Sequence, residues 1–249
     1  MPKFNLFIFF IVSIAILITP RAGADASGFA VVELFTSEGC SSCPPADQLL
    51  REITQKAKEE NLTIYTLGFH VDYWNYLGWE DVFSQKDYSR RQYQYAQAMQ
   101  TTSVYTPQLI INGTKAFNGS DREQAWKTIH QALQKPSSLK LNLSIAEKSA
   151  NTYELSYQIS SIPPDSTLNF ALVEKNLKSN VSRGENTGRL LQHDNVVRFF
   201  NTTDIKAPEH KITFSINNQW KKEDLAVIAY IQNKKDTMIV AAAQTGLNR

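Results

Sequence analysis

Residues 29–47 read FAVVELFTSEGCSSCPPAD and contain both cysteines of the chain. The segment 29–35 is almost continuously apolar, which is typical of a strand buried on both faces. Residues 46–60 carry leucine and isoleucine at helical spacing, with charged residues between them. The order strand, loop, Cys40-Ser41-Ser42-Cys43, helix therefore places both thiols at the N-terminus of a helix.

A cysteine at a helix N-terminus faces unpaired N–H groups and the positive end of the helix dipole. Both favour the thiolate over the thiol, so the pKa of the cysteine falls and its reactivity rises. We expect Cys40 to be the exposed attacking thiol and Cys43 the resolving thiol. The pair then cycles between a dithiol and a Cys40–Cys43 disulfide by exchange with a protein or a small thiol.

Two other interpretations of the cysteine pair remain. A purely structural disulfide across so short a loop stabilises the fold by only about 2 kcal/mol, against about 5 kcal/mol for a 100-residue loop. A closed zinc site needs about four ligands, but there is no second CxxC and the four histidines show no paired spacing. A redox-active pair is favoured, with no metal and no cofactor.

The composition limits the classes of protein to consider. The chain has 249 residues, of which 42% are hydrophobic and 20% are charged, so an ordinary globular protein of one or two domains is expected. Two cysteines exclude a disulfide-rich scaffold. The formal net charge of +2 gives no reason to expect nucleic acid as a partner.

The first 24 residues have the features of a secretory signal peptide. Lys3 precedes an apolar run over 4–18, and Ala22-Gly23-Ala24 fits a cleavage site. The run is shorter than the roughly 20 residues of a spanning helix, so no stable membrane anchor is expected after cleavage. Cleavage removes two of the 26 basic residues and none of the 24 acidic ones, which leaves a net charge of zero. We expect a periplasmic or secreted protein, in a compartment where disulfides persist.

The rest of the chain divides near Pro136. Before it, helical and strand patterns alternate, which predicts an α/β domain with a mixed sheet over 25–136. After it, seven short strand candidates without intervening helices predict an all-β immunoglobulin-like sandwich over 137–249. The seven strand candidates are residues 139–145, 153–159, 168–173, 195–200, 211–216, 225–232 and 238–243. The polar stretch 175–192 is predicted to be an extended loop.

Several motifs resemble one known family. They are residues 32–47, Phe69-His70-Val71-Asp72-Tyr73-Trp74, Val104-Tyr105-Thr106-Pro107-Gln108 and, further on, Gly184-Glu185-Asn186 and Asn195-Val196-Val197-Arg198. They are similar to the secreted bacterial thioredoxin-like family of unknown function, domain of unknown function 1223. The resemblance implies a thioredoxin-like fold for 25–136 and an exported bacterial setting. It also implies that Thr106-Pro107 is the cis-proline that packs beside the CxxC in the thioredoxin superfamily.

Supporting roles follow from the same resemblance. Glu33 is an acid inside an apolar strand, near the place where thioredoxins keep a buried carboxylate as a proton relay for the second cysteine. The alternative is that Glu33 pairs with a lysine or points to solvent.

In the downstream half, we expect Glu185-Asn186 to contact the first domain, and His193-Asp194 to form a polar turn.

Residues 70–105 are an aromatic-rich insertion compared with a minimal thioredoxin. We expect Trp74 and Trp79 to form a substrate-facing groove beside the cysteine pair. His70 with Asp72 is expected to stabilise the Cys40 thiolate or to orient a proton. The alternative is that these side chains only fix the insertion onto the sheet by packing.

Two functions from different classes remain. The first is an exported thiol–disulfide oxidoreductase, with Cys40 as nucleophile, Cys43 as resolving thiol, and Thr106 and Pro107 shaping substrate docking. The alternative is a non-catalytic periplasmic binding or assembly protein, built on a thioredoxin-like scaffold with a structural disulfide. An exposed Cys40 of low pKa favours the first, and a buried, permanently oxidised pair favours the second.

Overall fold

A computed structural model describes Met1 and residues 28–247 of the protein. The predicted signal peptide lies outside the described residues, apart from Met1. The strands are β1 (Ala30–Thr36), β2 (Ile64–His70), β3 (Gln108–Ile111), β4 (Lys115–Asn118), β5 (Leu141–Ser149), β6 (Thr152–Ile159), β7 (Ser166–Glu174), β8 (Leu177–Asn180), β9 (Leu190–His193), β10 (Val196–Asp204), β11 (Glu209–Ser215), β12 (Leu225–Asn233) and β13 (Ile239–Gly246).

Three α-helices and two short 3₁₀ turns complete the described part of the chain. The helices are α1 (Pro44–Glu59), α2 (Lys86–Ala98) and α3 (Arg122–Leu133), and the 3₁₀ turns are Asn75–Leu77 and Lys222–Asp224. No helix among the described residues is long and apolar enough to cross a lipid bilayer.

One eight-stranded mixed sheet runs through both predicted halves, in the order β13-β12-β7-β10-β2-β1-β3-β4. The pairings β1–β2 and β2–β10 are parallel, and the others in this sheet are antiparallel. The halves meet where Val196 of β10 pairs with Gly68 of β2, whose N–H donates to the carbonyl of Asn195 at 2.9 Å. A three-stranded sheet, β11-β6-β5, and the β8–β9 hairpin are separate from the large sheet.

The predicted fold class, a thioredoxin-like α/β domain followed by an immunoglobulin-like sandwich, is therefore wrong. All seven strand candidates of the second half are present, but four of them belong to the same sheet as β1. The physical reason is visible in β7 and β12, which are buried along almost their whole length instead of alternating. Such strands need cover on both faces and are interior strands of a large sheet. The polar stretch 175–192 also differs from prediction, because it forms the β8–β9 hairpin.

Side-chain alternation separates the core into two faces. On one face, α2 packs on Val31 and Phe35 of β1, and on the odd-numbered Ala171 and Val173 of β7. The opposite face has two covers. Helices α1 and α3 cover the part of the sheet around β1, and the three-stranded sheet covers the part around β7 and β12. The cysteine pair is thereby held at the carboxyl end of a strand that is buried on both faces.

The start of α1 follows directly from its sequence. Pro44 and Pro45 occupy the first two helical positions, where the missing N–H costs nothing and the fixed φ suits a helix. Leu49 and Ile53 point into the core beneath the helix. The helix ends before Asn61, which has a left-handed φ of 53° and lets the chain turn back towards β2.

A buried ion pair lies at the centre of the sheet. Glu33 in the middle of β1 is fully buried, and its Oε1 lies 2.8 Å from Nη2 of Arg91 on α2. Tyr95 donates its hydroxyl to Oε2 of the same carboxylate, and Tyr230 of β12 donates to Oε1 at 2.5 Å. The guanidinium also donates to Gln232 at 3.3 Å. The cluster joins the first strand, the surface helix and the last part of the chain.

We predict that Glu33→Gln lowers the free energy of unfolding by about 3 to 5 kcal/mol, because it leaves the buried Arg91 charge uncompensated. Urea denaturation measures this change. Glu52→Gln is the control, since Glu52 forms a solvent-exposed pair with Arg122, and it should cost about 1 kcal/mol or less. Equal effects of the two substitutions would contradict the assignment of Glu33 as the central anchor.

Candidate functional site

The cysteine pair lies in the turn between β1 and α1. The N–H of Cys40 donates to the carbonyl of Ser37 at 3.2 Å, and the N–H of Cys43 donates to the carbonyl of Cys40 at the same distance. Cys43 is the residue immediately before α1. Both cysteines are free thiols, so the predicted Cys40–Cys43 disulfide is not formed in the structure.

Cys40 has the environment of a stabilised thiolate. Its Sγ lies 3.3 Å from the hydroxyl oxygen of Ser42, which can donate to the sulfur, and in the thiol form its S–H donates to the carbonyl oxygen of Thr106 at 3.9 Å. Hydrogen bonding from the Cys43 thiol, with a smaller contribution from Ser42, outweighs burial and lowers the pKa of Cys40 to about 6. Its residue exposure is only 1%, so the expectation of an exposed thiol is wrong, although Ser41 and Ser42 are exposed.

Cys43 has the opposite environment. It is completely buried, and burial raises the pKa of its thiol far above the ordinary range. The neighbouring Cys40 and the carboxylate of Asp47, one helical turn further along α1, act in the same direction. The two sulfurs of one short turn therefore differ sharply in acidity, with one ready to ionise near neutral pH and the other holding its proton.

The peptide bond between Thr106 and Pro107 is cis, as the resemblance implied. It places the carbonyl of Thr106 next to the Cys40 sulfur. Trp74 donates its indole N–H to the Thr106 hydroxyl at 2.7 Å. The structure thus brings Cys40, Thr106, Pro107 and Trp74 together at one place.

Glu38 holds the turn that carries the cysteines, and all of its polar groups are used. Its N–H donates to Asp81 at 2.8 Å, and its carboxylate accepts from Trp79 at 2.8 Å and lies 3.2 Å from Nε2 of His193. Its carbonyl accepts from the side-chain amide of Asn186 at 2.8 Å. Because Glu38 is fully buried, these four partners fix the start of the cysteine turn from two separate parts of the chain, residues 79–81 and 186–193.

Two histidines meet behind this turn. The rings of His70 and His193 are 4.8 Å apart, and Nδ1 of His70 lies 2.7 Å from the carboxylate of Asp81. Nδ1 of His193 faces Asp47 at 3.9 Å. Burial alone lowers the pKa of His193, but Asp47 and Glu38 outweigh it and raise the pKa to about 10. Although burial opposes ionisation of Asp81, the facing His70 holds the pKa of that carboxyl below its usual range.

The other predicted supporting residues lie elsewhere. Both oxygens of Glu33 are bound by the Arg91 cluster, and the acid that acts on Cys43 is Asp47. Asp72 accepts from the hydroxyl of Ser89 on α2, and His70 pairs with Asp81 instead of Asp72. Trp79 uses its indole N–H on Glu38. Trp79 and His70 therefore support the cysteine turn through internal contacts, whereas Glu33 and Asp72 bond to side chains of α2.

The tip of the β8–β9 hairpin reaches the cysteine turn from the second half of the chain. Glu185 accepts from the N–H of Ser41 at 2.9 Å, and Asn186 donates to the carbonyl of Cys40 at 3.0 Å. The expected contact of Glu185-Asn186 with the first half is thereby confirmed. Gly184 has φ +75°, and a Cβ there would lie 3.2 Å from Cβ of Trp79, so both backbone and space favour glycine.

His193 was missed by the sequence analysis, which treated His193-Asp194 as a polar turn. The only signal for it is weak: residues 190–193 read LLQH, in which Leu191 and His193 share one side of a short strand. In the structure both are buried. No group of three or more potential metal-ligating side chains occurs within the described residues.

Comparisons with known proteins identify the family and a structural neighbour. The family model named "Protein of unknown function (DUF1223)" matches residues 31–232. No curated protein matches the sequence. A crystal structure of a protein from Agrobacterium tumefaciens has 26% identity and a TM-score of 0.67, over 88% of this chain and 95% of that one. Since that match spans both predicted halves, it supports one continuous architecture.

A second solved structure is a domain of the outer membrane lipoprotein Omp28 from Porphyromonas gingivalis. It has 9% identity and a TM-score of 0.30, over 45% of this chain and 89% of that one. This likeness is too low to carry any argument about the fold.

We predict a pH-dependent stabilisation by His193. A histidine whose pKa is raised by folding stabilises the fold fully below its unfolded pKa of about 6.5 and loses that effect as the pH rises. The stability advantage of the wild type over His193→Gln should therefore decline between pH 6.5 and about 10, measured by urea unfolding at each pH. A constant difference across this range would refute the ion pair.

Proposed function

The chain belongs to the DUF1223 family of proteins of unknown function, and we propose that it is an exported thiol–disulfide oxidoreductase acting through Cys40 and Cys43. One observation carries this proposal: two free thiols of opposite acidity lie in a turn at a helix N-terminus, beside a cis-proline. A purely structural pair has no need of such an asymmetry. Thiolate at the first position and thiol at the second are the states that exchange requires.

The reaction conserves atoms and electrons as written in the reducing direction. The Cys40 thiolate attacks one sulfur of a substrate disulfide, a mixed disulfide forms, and one substrate thiolate leaves. The Cys43 sulfur, after losing its proton, attacks Sγ of Cys40 and expels the second substrate thiolate. The substrate disulfide gains two electrons and the protein dithiol loses them. The same steps in reverse oxidise a substrate dithiol.

The second step needs an acceptor for the Cys43 proton. Asp47 lies one turn along α1 on the side of Cys43, and it faces His193, which is paired in turn with Glu38. Asp47 therefore replaces Glu33 in our assignment of the acid that serves Cys43, because the carboxylate of Glu33 is held by Arg91. Once the Cys40 thiolate is consumed in a mixed disulfide, its charge no longer opposes ionisation of Cys43.

The substrate groove is assigned to Thr106, Pro107 and Trp74, which adjoin the Cys40 sulfur. The order strand, CxxC, helix with a cis-proline supports kinship of this site with the thioredoxin superfamily. The signal-like residues 1–24 support export to the periplasm or the medium, where disulfide partners are present. The partner is a protein or a small thiol, and no nucleic acid is involved.

We predict that iodoacetamide modifies Cys40 of the reduced protein with a pH midpoint near 6, instead of the value of about 8.5 for an ordinary thiol. Only the thiolate reacts, so the rate reports the ionised fraction. Cys43 should stay unmodified over the same range, and mass spectrometry of peptides distinguishes the two. A midpoint near 8.5 for Cys40 would remove the main support for catalysis.

We also predict that the two single variants behave differently with glutathione disulfide. Cys43→Ser should accumulate one glutathione on Cys40, because the resolving thiol is absent. Cys40→Ser should acquire little, because Cys43 is buried and protonated. The wild type should end as the intramolecular disulfide. Intact-mass measurement after acid quenching reads all three outcomes, and equal labelling of both variants would contradict the assigned roles.

The alternative function, a non-catalytic binding or assembly protein, is favoured by one observation. Cys40 is only 1% exposed, so exchange requires the exposed residues Ser41 and Ser42 to shift. If alkylation and glutathione exchange are both negligible at every pH in the folded protein, the binding function replaces the proposed one.

A further inference from the structure

The carbonyl oxygen of Cys40 has two donors. One is the N–H of Cys43, which closes the turn at 3.2 Å. The other is the side-chain amide of Asn186, 146 residues away in sequence, at 3.0 Å. The same amide nitrogen donates to the carbonyl of Glu38 at 2.8 Å. A single side chain therefore holds the two carbonyls on either side of Gly39.

Gly39, directly before Cys40, is the most flexible residue of this turn. Glycine has the widest choice of backbone conformations, so a segment built on it is not fixed by local preference. A Cβ at Gly39 would come within 3.1 Å of Cβ of Trp74, so a larger residue would require Trp74 to shift. Ser37 holds the turn locally, because its hydroxyl accepts from the N–H of Gly39 at 3.1 Å and its carbonyl accepts from that of Cys40 at 3.2 Å. Asn186 adds a long-range constraint, since its side chain bonds both flanking carbonyls.

Asn186 is itself firmly placed. Its exposure is 0%, and its side-chain oxygen accepts from the guanidinium of Arg189 at 3.0 Å. The backbone of the hairpin tip is closed by bonds from Gly188 to the carbonyl of Val181 at 2.8 Å and from Val181 to that of Arg189 at 3.0 Å. Because the Asn186 side chain is buried and hydrogen-bonded, any movement that separates it from these partners leaves buried polar groups unpaired, which costs free energy.

We propose that Asn186 is a positioning residue for Cys40, through which the β8–β9 hairpin of the second half of the chain sets the reactivity of the thiol; this rests on the proposed function. Asn186 touches neither sulfur. It acts by fixing the backbone on both sides of Gly39, so that the Cys40 sulfur stays within reach of the Cys43 thiol and the Ser42 hydroxyl. Those two groups stabilise the thiolate.

The test compares Asn186→Ala and Asn186→Leu, which both remove the amide without adding a charge, with the matched control Asn169→Ala. Asn169 on β7 is also buried, at 1% exposure, and bonds Thr202 and Gln232, away from the cysteines. All variants retain the ionisable groups around the turn, namely Cys43, Asp47, Glu38, His193 and Glu185. The readouts are the urea midpoint and the pH profile of Cys40 alkylation by iodoacetamide.

Both Asn186 variants should move the alkylation midpoint upwards by about one pH unit or more. At a fixed pH below the midpoint, a shift of one unit means roughly a tenfold slower reaction, because the thiolate fraction falls tenfold per unit. Asn169→Ala should lose stability without moving the midpoint. Asn186→Leu keeps roughly the size of the side chain, so it provides a folded comparison if the alanine variant unfolds.

The outcomes separate the two proposals. If the wild type titrates near 6 and the Asn186 variants do the same, the positioning role is wrong while the proposed function stands. If Asn169→Ala shifts the midpoint as much as the Asn186 variants, the effect reflects general loosening, and the positioning role is again refuted. If the wild type itself titrates as an ordinary thiol, it is the proposed function that fails.

Discussion

A carboxylate in the middle of the central strand must be neutralised where no water reaches it. Glu33 meets that requirement with Arg91 from α2 and with the hydroxyls of Tyr95 and Tyr230. An isolated buried charge is far more costly than a paired one, so the partners have to arrive together. Arg91 supplies the opposite charge, and Tyr230 of β12 donates a further hydrogen bond to the same carboxylate. The cluster thereby joins β1 to a strand from the other end of the chain, and β1 leads directly into the turn with the cysteines.

A second buried acid, Glu38, connects the parts of the site, as Glu33 connects the parts of the fold. Glu38 makes hydrogen bonds to Trp79 and Asp81 of the aromatic insertion and to His193 and Asn186 of the β8–β9 region. The cysteine turn is therefore supported by sequence segments that are far apart. Thr106 and Trp74 complete it from the side of the cis-proline. The aromatic insertion and the β8–β9 hairpin both make hydrogen bonds to the turn that carries Cys40.

The sequence predicts the features that depend on local patterns. The strand β1, the helix after the cysteines, the cis bond before Pro107 and the seven later strands all have local or motif signals. What it does not predict depends on pairing between distant segments. No local pattern in the sequence of β7 or β12 indicates that these strands belong to the same sheet as β1. Likewise, Tyr88 and Tyr95 lie in a polar, glutamine-rich helix, and they are buried because that side of the helix packs on the sheet.

The site shows the same division. Cys40, Cys43 and Pro107 could be identified from their spacing and motif. Asn186 and His193 gain their importance from long-range contacts, such as those with Cys40, 146 positions away, and with Glu38, 155 positions away. Glu33 was identified from the sequence as an acid inside an apolar strand, but its partner in the structure is Arg91 of α2 and not a lysine. Long-range electrostatics, which no local pattern reports, decides these cases.

The distance in sequence between Cys40 and Asn186 also orders events during biosynthesis. The chain separating the two is 146 residues long, which a ribosome completes in roughly 7 to 30 s at about 5 to 20 residues per second. For that interval the nascent cysteines have neither the amide of Asn186 nor the imidazole of His193 beside them. During that interval the turn that carries the cysteines lacks the hydrogen bonds that hold it in the folded protein. The distinctive chemistry of the turn begins only after the hairpin has been made and docked.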